Sequence, residues 1–338
     1  MTYRVLIIAD DLTGALDSGS AFAMRGHATR VLLDPADLPA ALTDPDLQVI
    51  AIATGTREVP VAEAAQAVQR IAEASAGFDG ILFKKIDSRM KGHIAAELAA
   101  LRGVFPLPVL AVPAIPRLAR VVADGCVTGA GIGTPIAIAP ALGIEARIPK
   151  ATSDAEIDAV LPDALDQVIH AGAAGLAEAL ARALPPGDAT APIDLPLPLL
   201  MAIGSRDPVT LAQIAALDSA PLAAPNGAVP PLPVADLSLV RCTPGVEPVS
   251  PAQAAENFAT GIARELRRNP PRTLFACGGE TAHAILRKLG ITTLDLLGEI
   301  LPGIPVARTL DGKLTVITKS GGFGGPGALT QLTGKFVK

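Results

Sequence analysis

Short, almost continuously apolar runs recur along the first half of the chain: Tyr3–Ala9, Ala28–Leu33, Gln48–Thr54, Gly80–Ile86, Val109–Pro113 and Gln167–Ala171. Between several of them the apolar residues fall instead at three- and four-residue spacing. Val61–Ser75 does this with Val61, Ala64, Ala65, Val68, Ile71 and Ala72, and Ile94–Leu101 repeats it. Strands apolar on both faces that alternate with helices predict a parallel sheet covered on both sides. A proline-rich stretch, Leu184–Pro198, interrupts the pattern and reads as a linker. The alternation then restarts: strand Leu199–Ile203, helix Pro208–Leu217, strand Ser238–Cys242, helix Pro251–Arg268, strand Thr273–Cys277, helix Thr281–Leu289. Near the end, Ile304–Thr309 and Leu314–Thr318 flank Asp311-Gly312 and predict a β-hairpin. The expected fold is α/β with two domains, residues 1–194 and 195–338, each a largely parallel sheet flanked by helices. The second carries an antiparallel hairpin edge.

Composition narrows the class. A length of 338 residues suits two domains of ordinary size, and a 50% hydrophobic content supplies their cores. With 3% aromatics and no Trp, those cores must be built from Ala, Val, Ile and Leu. The net charge of −5 lacks the basic footprint of a nucleic-acid binder. Cys126, Cys242 and Cys277 are odd in number and widely spaced, which predicts no disulfide framework and a reducing cytoplasm. Cys277, within an apolar run, reads as a small core residue. The N-terminal apolar run is broken early by Asp10 and Asp11, unlike a signal peptide. No run approaches the roughly 18 apolar residues of a membrane span. His27, His170 and His283 are scattered without ligand spacing, so zinc is not expected.

Chemistry gathers at predicted strand ends. In "YRVLIIADDLTGALDSG" two adjacent acids close the first strand, where open α/β sheets bind ligands. Thr13 and Gly14 then open a helix whose N-terminus can offset one carboxylate. A single Asp there serves equally well as a helix cap; two together point to a site. Haloacid-dehalogenase phosphatases also place an acid after the first strand, but separate nucleophile and acid by one residue, so an Asp-based phosphatase stays only an alternative. A second constellation, "FKKIDSRMKGHIAAEL", crowds Lys84, Lys85, Asp87, Ser88, Arg89, Lys91 and His93 at another strand end. Strand alternation would put Lys85, Asp87 and Arg89 on one side and Lys84 and Ile86 on the other. Such cations beside a helix start suit a carboxylate or phosphate; the plain alternative is a solvated turn with weak ion pairs. Arg57, in "ATGTREVP", would open onto the same sheet edge.

The second half supplies glycine where the first supplies charge. "MAIGSRDPVTLAQI", "LFACGGETAHAIL" and "VITKSGGFGGPGAL" each run from strand through a Gly-rich turn, the first two into a helix. Backbone N–H groups free of side chains cradle phosphates. One such loop is an ordinary turn; three in one domain point to a nucleotide. Neither GxxxxGK[ST] nor a Rossmann fingerprint in a βαβ unit occurs, which disfavours a P-loop or NAD site.

In this order, "ADDLTGALDSG", "KKIDSRMKGHIAAEL", "GSRDPVTLAQ", "GGETA" and "KSGGFG" resemble the motifs of the four-carbon acid sugar kinases, long catalogued as a domain of unknown function. The resemblance implies an N-terminal domain for the acid sugar and a C-terminal domain for ATP with Mg²⁺. The reaction it implies is phosphorylation of the terminal hydroxyl of a threonate, erythronate or 3-oxo-tetronate. Carried over to this chain, the acid sugar would meet Asp11, Arg57, Lys85, Asp87 and Ser88. ATP would meet Ser205, Gly278, Gly279, Glu280, Thr281 and Gly322. Within that scheme Arg57 and Lys85 are expected to pair with the substrate carboxylate and Asp11 to take the hydroxyl proton. Asp10 would brace the loop or sit near the metal, whose ligands the motifs do not name. There are departures. Ser88, Arg89, Met90, Lys91, Gly92 and His93 stand where members usually read Ser-Thr-Leu-Arg-Gly-Asn. Asp207 replaces a second Ser, and the middle of the chain is shorter than usual. Expected partners are the acid sugar and ATP, with neither nucleic acid nor membrane, and a homo-oligomer as the one protein partner considered. The alternative from another class is a sugar-acid or nucleotide-binding protein without catalysis.

Overall fold

A computed structural model describes residues 3–188, 192–217 and 219–336. The chain divides into two compact units, Met1–Thr190 and Ala191–Lys338. The predicted linker includes residues 189–191, which lie outside the described residues; its described flanks carry neither helix nor strand.

The first unit runs β1 (Val5–Ala9), α1 (Leu12–Ala23), β2 (Thr29–Leu32), α2 (Leu38–Thr43), β3 (Val49–Ala53), α3 (Val61–Ala74), β4 (Ile81–Lys85) and α4 (Ile94–Val104). It continues with β5 (Val109–Val112), β6 (Arg120–Ala123), β7 (Cys126–Gly129), β8 (Ile136–Ala137), α5 (Ile138–Leu142), α6 (Asp154–Ala159), β9 (Ile169–Gly172) and α7 (Ala174–Ala183). Six strands form a parallel sheet in the order β2-β3-β1-β4-β9-β5. Every residue of β1, β3 and β4 is buried, as runs apolar on both faces require. The chain passes from β3 across β1 to β4, so the order reverses at β1, and the crevice beyond the carboxyl ends of β1, β3 and β4 is the topological switch point. A small antiparallel sheet, β6-β7-β8, went unforeseen, because strands of two to four residues leave no periodic trace. One further expectation fails: β4 stops at Lys85, so strand alternation does not orient Asp87 or Arg89, which lie in the following turn.

His170, in β9, is fully buried. Its Nε2–H donates to the Leu165 carbonyl at 2.8 Å, and Nδ1 has no partner among the described residues. Protonation would bury an unpaired charge, so desolvation pulls the imidazole pKa from 6.5 down to about 4. The unfolded chain therefore takes up a proton between those values that the folded protein refuses. Stability from this group is complete above pH 6.5 and is lost as pH falls toward 4. Chemical denaturation across that window should show a fall on the order of 3 kcal/mol, and His170→Leu should flatten it; an unchanged slope in the variant would assign the effect elsewhere.

The second unit runs β10 (Leu199–Ile203), α8 (Pro208–Ala215), β11 (Leu222–Pro225), β12 (Leu237–Thr243), α9 (Pro251–Arg268), β13 (Thr273–Cys277), α10 (Gly279–Leu289), β14 (Thr293–Leu301), β15 (Ile304–Thr309), β16 (Thr315–Lys319) and α11 (Ala328–Gly334). Strands β11-β12-β10-β13-β16 are parallel, and β15 and β14 continue antiparallel beyond β16. The predicted hairpin is β15–β16; β14 extends that edge by a strand the sequence pattern did not single out, and β11 was likewise missed. Phe275, Met201, Ile203, Ile317 and Leu329 meet in the core. Here the order reverses between β10 and β13. No helix among the described residues is long and apolar enough to cross a membrane.

Candidate functional site

At the switch point of the first unit, three strand ends bring together residues 28 or more positions apart. Asp10 and Asp11 follow β1, Arg57 follows β3, and Lys85 closes β4. The Arg57 guanidinium forks onto both acids. Nε and Nη2 donate to Asp10 Oδ2 and Oδ1, each at 2.8 Å, and Nη1 donates to Asp11 Oδ2 at 2.6 Å. Burial pushes the Asp10 carboxyl up, but the Arg57 hydrogen bonds and the nearby Lys84 outweigh it and hold the pKa below the usual carboxylate range. Burial would likewise lower Arg57, yet Asp10 and Asp11 raise it instead, so the guanidinium stays charged. The opening acids thus divide the work. Asp10 is 3% exposed and accepts a bidentate pair. Gly92, at φ +92°, lies so close that a Cβ there would fall 2.8 Å from Asp10 Oδ2.

Asp11 is the N-cap of α1 and more than a cap. Its Oδ1 accepts from Gly14 N at 2.7 Å, and Oδ2 accepts from Thr13 Oγ1 at 3.0 Å as well as from Arg57. Counting two lone pairs on each oxygen, one on Oδ1 stays open. Its side chain is 24% exposed against 4% for Asp10, so it is the acid that a ligand can reach. Lys85 brings its ammonium to the same first turn of α1: a Cβ on Gly14 would sit 2.7 Å from Asp11 Oδ1 and 3.1 Å from Lys85 Nζ. That ammonium has no hydrogen-bond or ion-pair partner among the described residues. Asp87 Oδ2 accepts from Arg89 N at 2.8 Å, fixing the turn, and Ser88 Oγ accepts from Arg120 Nη1 at 2.9 Å. Lys84 leaves the site altogether. It is fully buried and pairs with Glu97 of α4 at 2.8 Å. His93 also turns away, its Nε2 bonded to the Val59 carbonyl at 2.6 Å.

In the second unit the three glycine motifs converge. Gly204 N and Ser205 N both donate to Cys277 O, and Gly278 N donates to Lys319 O, tying the ends of β10, β13 and β16 together. A Cβ on Gly204 would lie 2.0 Å from Thr281 Oγ1, and one on Gly321 would lie 2.3 Å from Ser205 Oγ. Gly278, at φ +109°, is the N-cap of α10 and offers no side chain. Residues Gly279, Glu280 and Thr281 therefore present the first-turn N–H groups of an eleven-residue helix.

The last glycine loop is held by its carbonyls. Lys319 Nζ donates to Ser320 O at 3.1 Å and Gly321 O at 3.0 Å, and Thr210 Oγ1 adds a bond to Gly321 O at 2.7 Å. From α8, Gln213 Nε2 reaches the carbonyls of Phe323, Gly324 and Gly325 at 3.1, 3.1 and 2.9 Å. With these carbonyls turned inward, the N–H groups of Gly321 and Gly322 make no hydrogen bond among the described residues. They form an anion-binding concavity of the nest type. Burial lowers the pKa of the fully buried Lys319, partly offset by Cys277 and Asp207. Sequence reasoning missed Lys319, Thr210 and Gln213; the only trace of them is a lysine ending a buried strand. Asp207 caps α8 by accepting from Val209 N, and its Oδ2 lies 3.3 Å from where a Gly322 Cβ would be. No group of three or more His, Cys, Asp or Glu side chains able to hold a metal occurs among the described residues.

Residues 5–140 match the family described as a sugar-binding N-terminal domain, and residues 235–329 match the one described as a nucleotide-binding C-terminal domain. The chain is 31% identical to a D-threonate kinase of Cupriavidus necator over 96% of each chain. It is 27% identical to a D-threonate kinase of Bordetella bronchiseptica over 94% of each. A 3-oxo-tetronate kinase of Cupriavidus necator is 27% identical over 99% of each. The first of these alignments runs to 407 positions against 338 residues here, so stretches of that relative have no counterpart in this chain. Among solved structures, a Salmonella typhimurium LT2 protein solved as a proposed tRNA synthase superposes with TM-score 0.79 at 18% identity, covering 98% of this chain and 99% of that one. A Haemophilus influenzae protein catalogued as a domain of unknown function gives 0.69 at 18%, covering 98% and 100%. At such identity these structures establish the fold alone.

Proposed function

The chain belongs to the four-carbon acid sugar kinase family, and we propose that it transfers the γ-phosphoryl group of ATP to the terminal hydroxyl of a four-carbon sugar acid. The first unit would hold the acid sugar and the second the nucleotide. The observation that carries this reading is the glycine loop of residues 320–325, whose carbonyls are tied inward and whose glycine N–H groups stand open beside the N-terminus of α10. Ser205, Gly278, Gly279, Glu280, Thr281 and Gly322 would line the phosphates there.

Phosphoryl transfer asks the protein for position and charge and for little covalent work. The sugar's terminal oxygen attacks the γ-phosphorus, the bond from that phosphorus to the β,γ-bridging oxygen breaks, and ADP leaves. The hydroxyl proton would pass to the open lone pair of Asp11 Oδ1. Arg57 holds Asp11 in place, and the Lys85 ammonium, unpaired among the described residues, would face the negative charge gathering at the attacked group. Asp207 suits a Mg²⁺ site, because Mg²⁺ is held by one or two carboxylates together with substrate phosphates. When bound, the ion would neutralise charge on the transferring group. Three free cysteines, Cys126, Cys242 and Cys277, support action in the reducing cytoplasm.

Coupled ADP release across D- and L-tetronates and 3-oxo-tetronates tests the reading. Wild-type protein should turn over at least one of them. Gly322→Val, at a backbone without positive φ, should raise the KM for ATP about 10- to 100-fold, the worth of a charged hydrogen bond, and leave acid binding unchanged. Silence on every acid, with nucleotide binding intact, would overturn the kinase reading in favour of a binder.

A further inference from the structure

Beyond the acids and Lys85, a second cationic cluster lies at the same sheet edge. The turn after β4, fixed by Asp87 accepting from Arg89 N and by Met90 at φ +57°, carries Arg89 to the loop after β7. A Cβ on Gly131 would fall 2.6 Å from Arg89 Nη2, so the guanidinium lies directly on that loop. Arg120, the first residue of β6, reaches the same place. Its Nε donates to Ala130 O at 3.1 Å and its Nη1 to Ser88 Oγ at 2.9 Å.

Neither arginine has a carboxylate within ion-pair distance among the described residues. The two are close enough to repel: burial first, and Arg89 second, lower the pKa of Arg120, with Asp87 the compensating charge. That acid already spends Oδ2 on backbone N–H groups. Partial burial of two guanidiniums without a paired acid is unfavourable in the free protein, and an anion bound there removes the cost. The Arg57 fork, by contrast, is already neutralised by two acids.

We propose that Arg89, Arg120 and Ser88 form the subsite that holds the carboxylate of the acid sugar. This deepens the kinase reading and rests on it. The planar forks of Arg89 and Arg120 match a carboxylate, and the Ser88 hydroxyl, accepting from Arg120, keeps its own proton to donate. Asp87 attracts both Arg120 and Arg57, so it stands electrostatically between the carboxylate end and the acids at the hydroxyl end. The assignment moves the carboxylate from the Arg57–Lys85 pair expected from the motifs and leaves Lys85 for the reacting end.

Arg89→Gln and Arg120→Gln test it, read by calorimetry of acid binding without nucleotide and by steady-state kinetics. Each variant should weaken binding of the four-carbon acid about 10- to 100-fold. Binding and turnover of the tetritol that lacks the carboxylate should stay unchanged, as should the KM for ATP. Arg89→Lys should recover only part of the loss, since it restores the charge without the fork. Unchanged acid binding in the variants, or equal losses for acid and tetritol, would overturn the subsite; a kcat loss shared by both would place the arginines on the transferring phosphate instead. If the wild type released no ADP with any acid, yet acid binding still depended on Arg89, the subsite would stand and the kinase reading alone would fail. Should Arg120→Gln not fold, Arg89→Gln carries the test, because the Arg89 side chain makes no hydrogen bond among the described residues.

Discussion

Asp11→Asn is expected to lower kcat about 10²- to 10⁴-fold, the range that a general base contributes, while the fold stays intact. The side chain keeps its size, and its carbonyl oxygen can still accept from Gly14 N, so the cap of α1 survives. What goes is the negative charge facing Arg57 Nη1 and the basicity of the open lone pair. Arg57 retains its two bonds to Asp10, which holds the loop in place. The split between constants decides the role: a fall in kcat with KM nearly constant assigns proton transfer, and a rise in KM with kcat constant assigns positioning of the sugar. Melting curves alongside separate both from unfolding. Wild-type values for both constants would reduce Asp11 to a helix cap.

The nearness of Asp11 and Arg57 was legible in the sequence, because strand ends of a parallel sheet share one edge and both residues follow apolar runs. Their chemistry was less so. A sequence places Arg57 at the edge without revealing that two acids claim three of its nitrogens, so it seemed free to hold a carboxylate. Pairing distance explains the other gaps as well. Lys84 was placed on the opposite face from Lys85 by alternation alone, but its partner Glu97 belongs to a helix, and nothing local announces that contact. The glycine loops declared themselves by composition. The side chains that turn their carbonyls inward, Gln213 and Lys319, are 106 positions apart in the numbering and read separately as one helical and one strand residue. The Asp-based phosphatase alternative loses its footing on other ground, the chain's membership of the four-carbon acid sugar kinase family.

The Lys84–Glu97 pair carries the largest stability effect. Lys84 is 0% and Glu97 1% exposed, and their charged atoms lie 2.8 Å apart. Thr56 Oγ1 donates to Glu97 Oε1 at 2.7 Å, and Lys84 Nζ donates to the Lys85 carbonyl at 3.0 Å. Glu97→Leu would strand a buried ammonium among carbonyls, a change that costs about 3–5 kcal/mol in comparable cases. Removing both charges with Lys84→Met and Glu97→Leu replaces the pair by side chains of similar volume, and stability should return to within about 1–2 kcal/mol of wild type. Activity should not return with it. Lys84 also grips the carbonyl of the residue that carries the free ammonium and helps hold Asp10 ionised. The double variant is therefore expected to fold normally and bind the acid sugar more weakly. Urea denaturation of the three proteins, paired with calorimetry of acid binding, reads both halves. A double variant as unstable as the single one would locate the cost in packing instead of the stranded charge; one that bound the acid as tightly as wild type would show that the pair serves the fold alone.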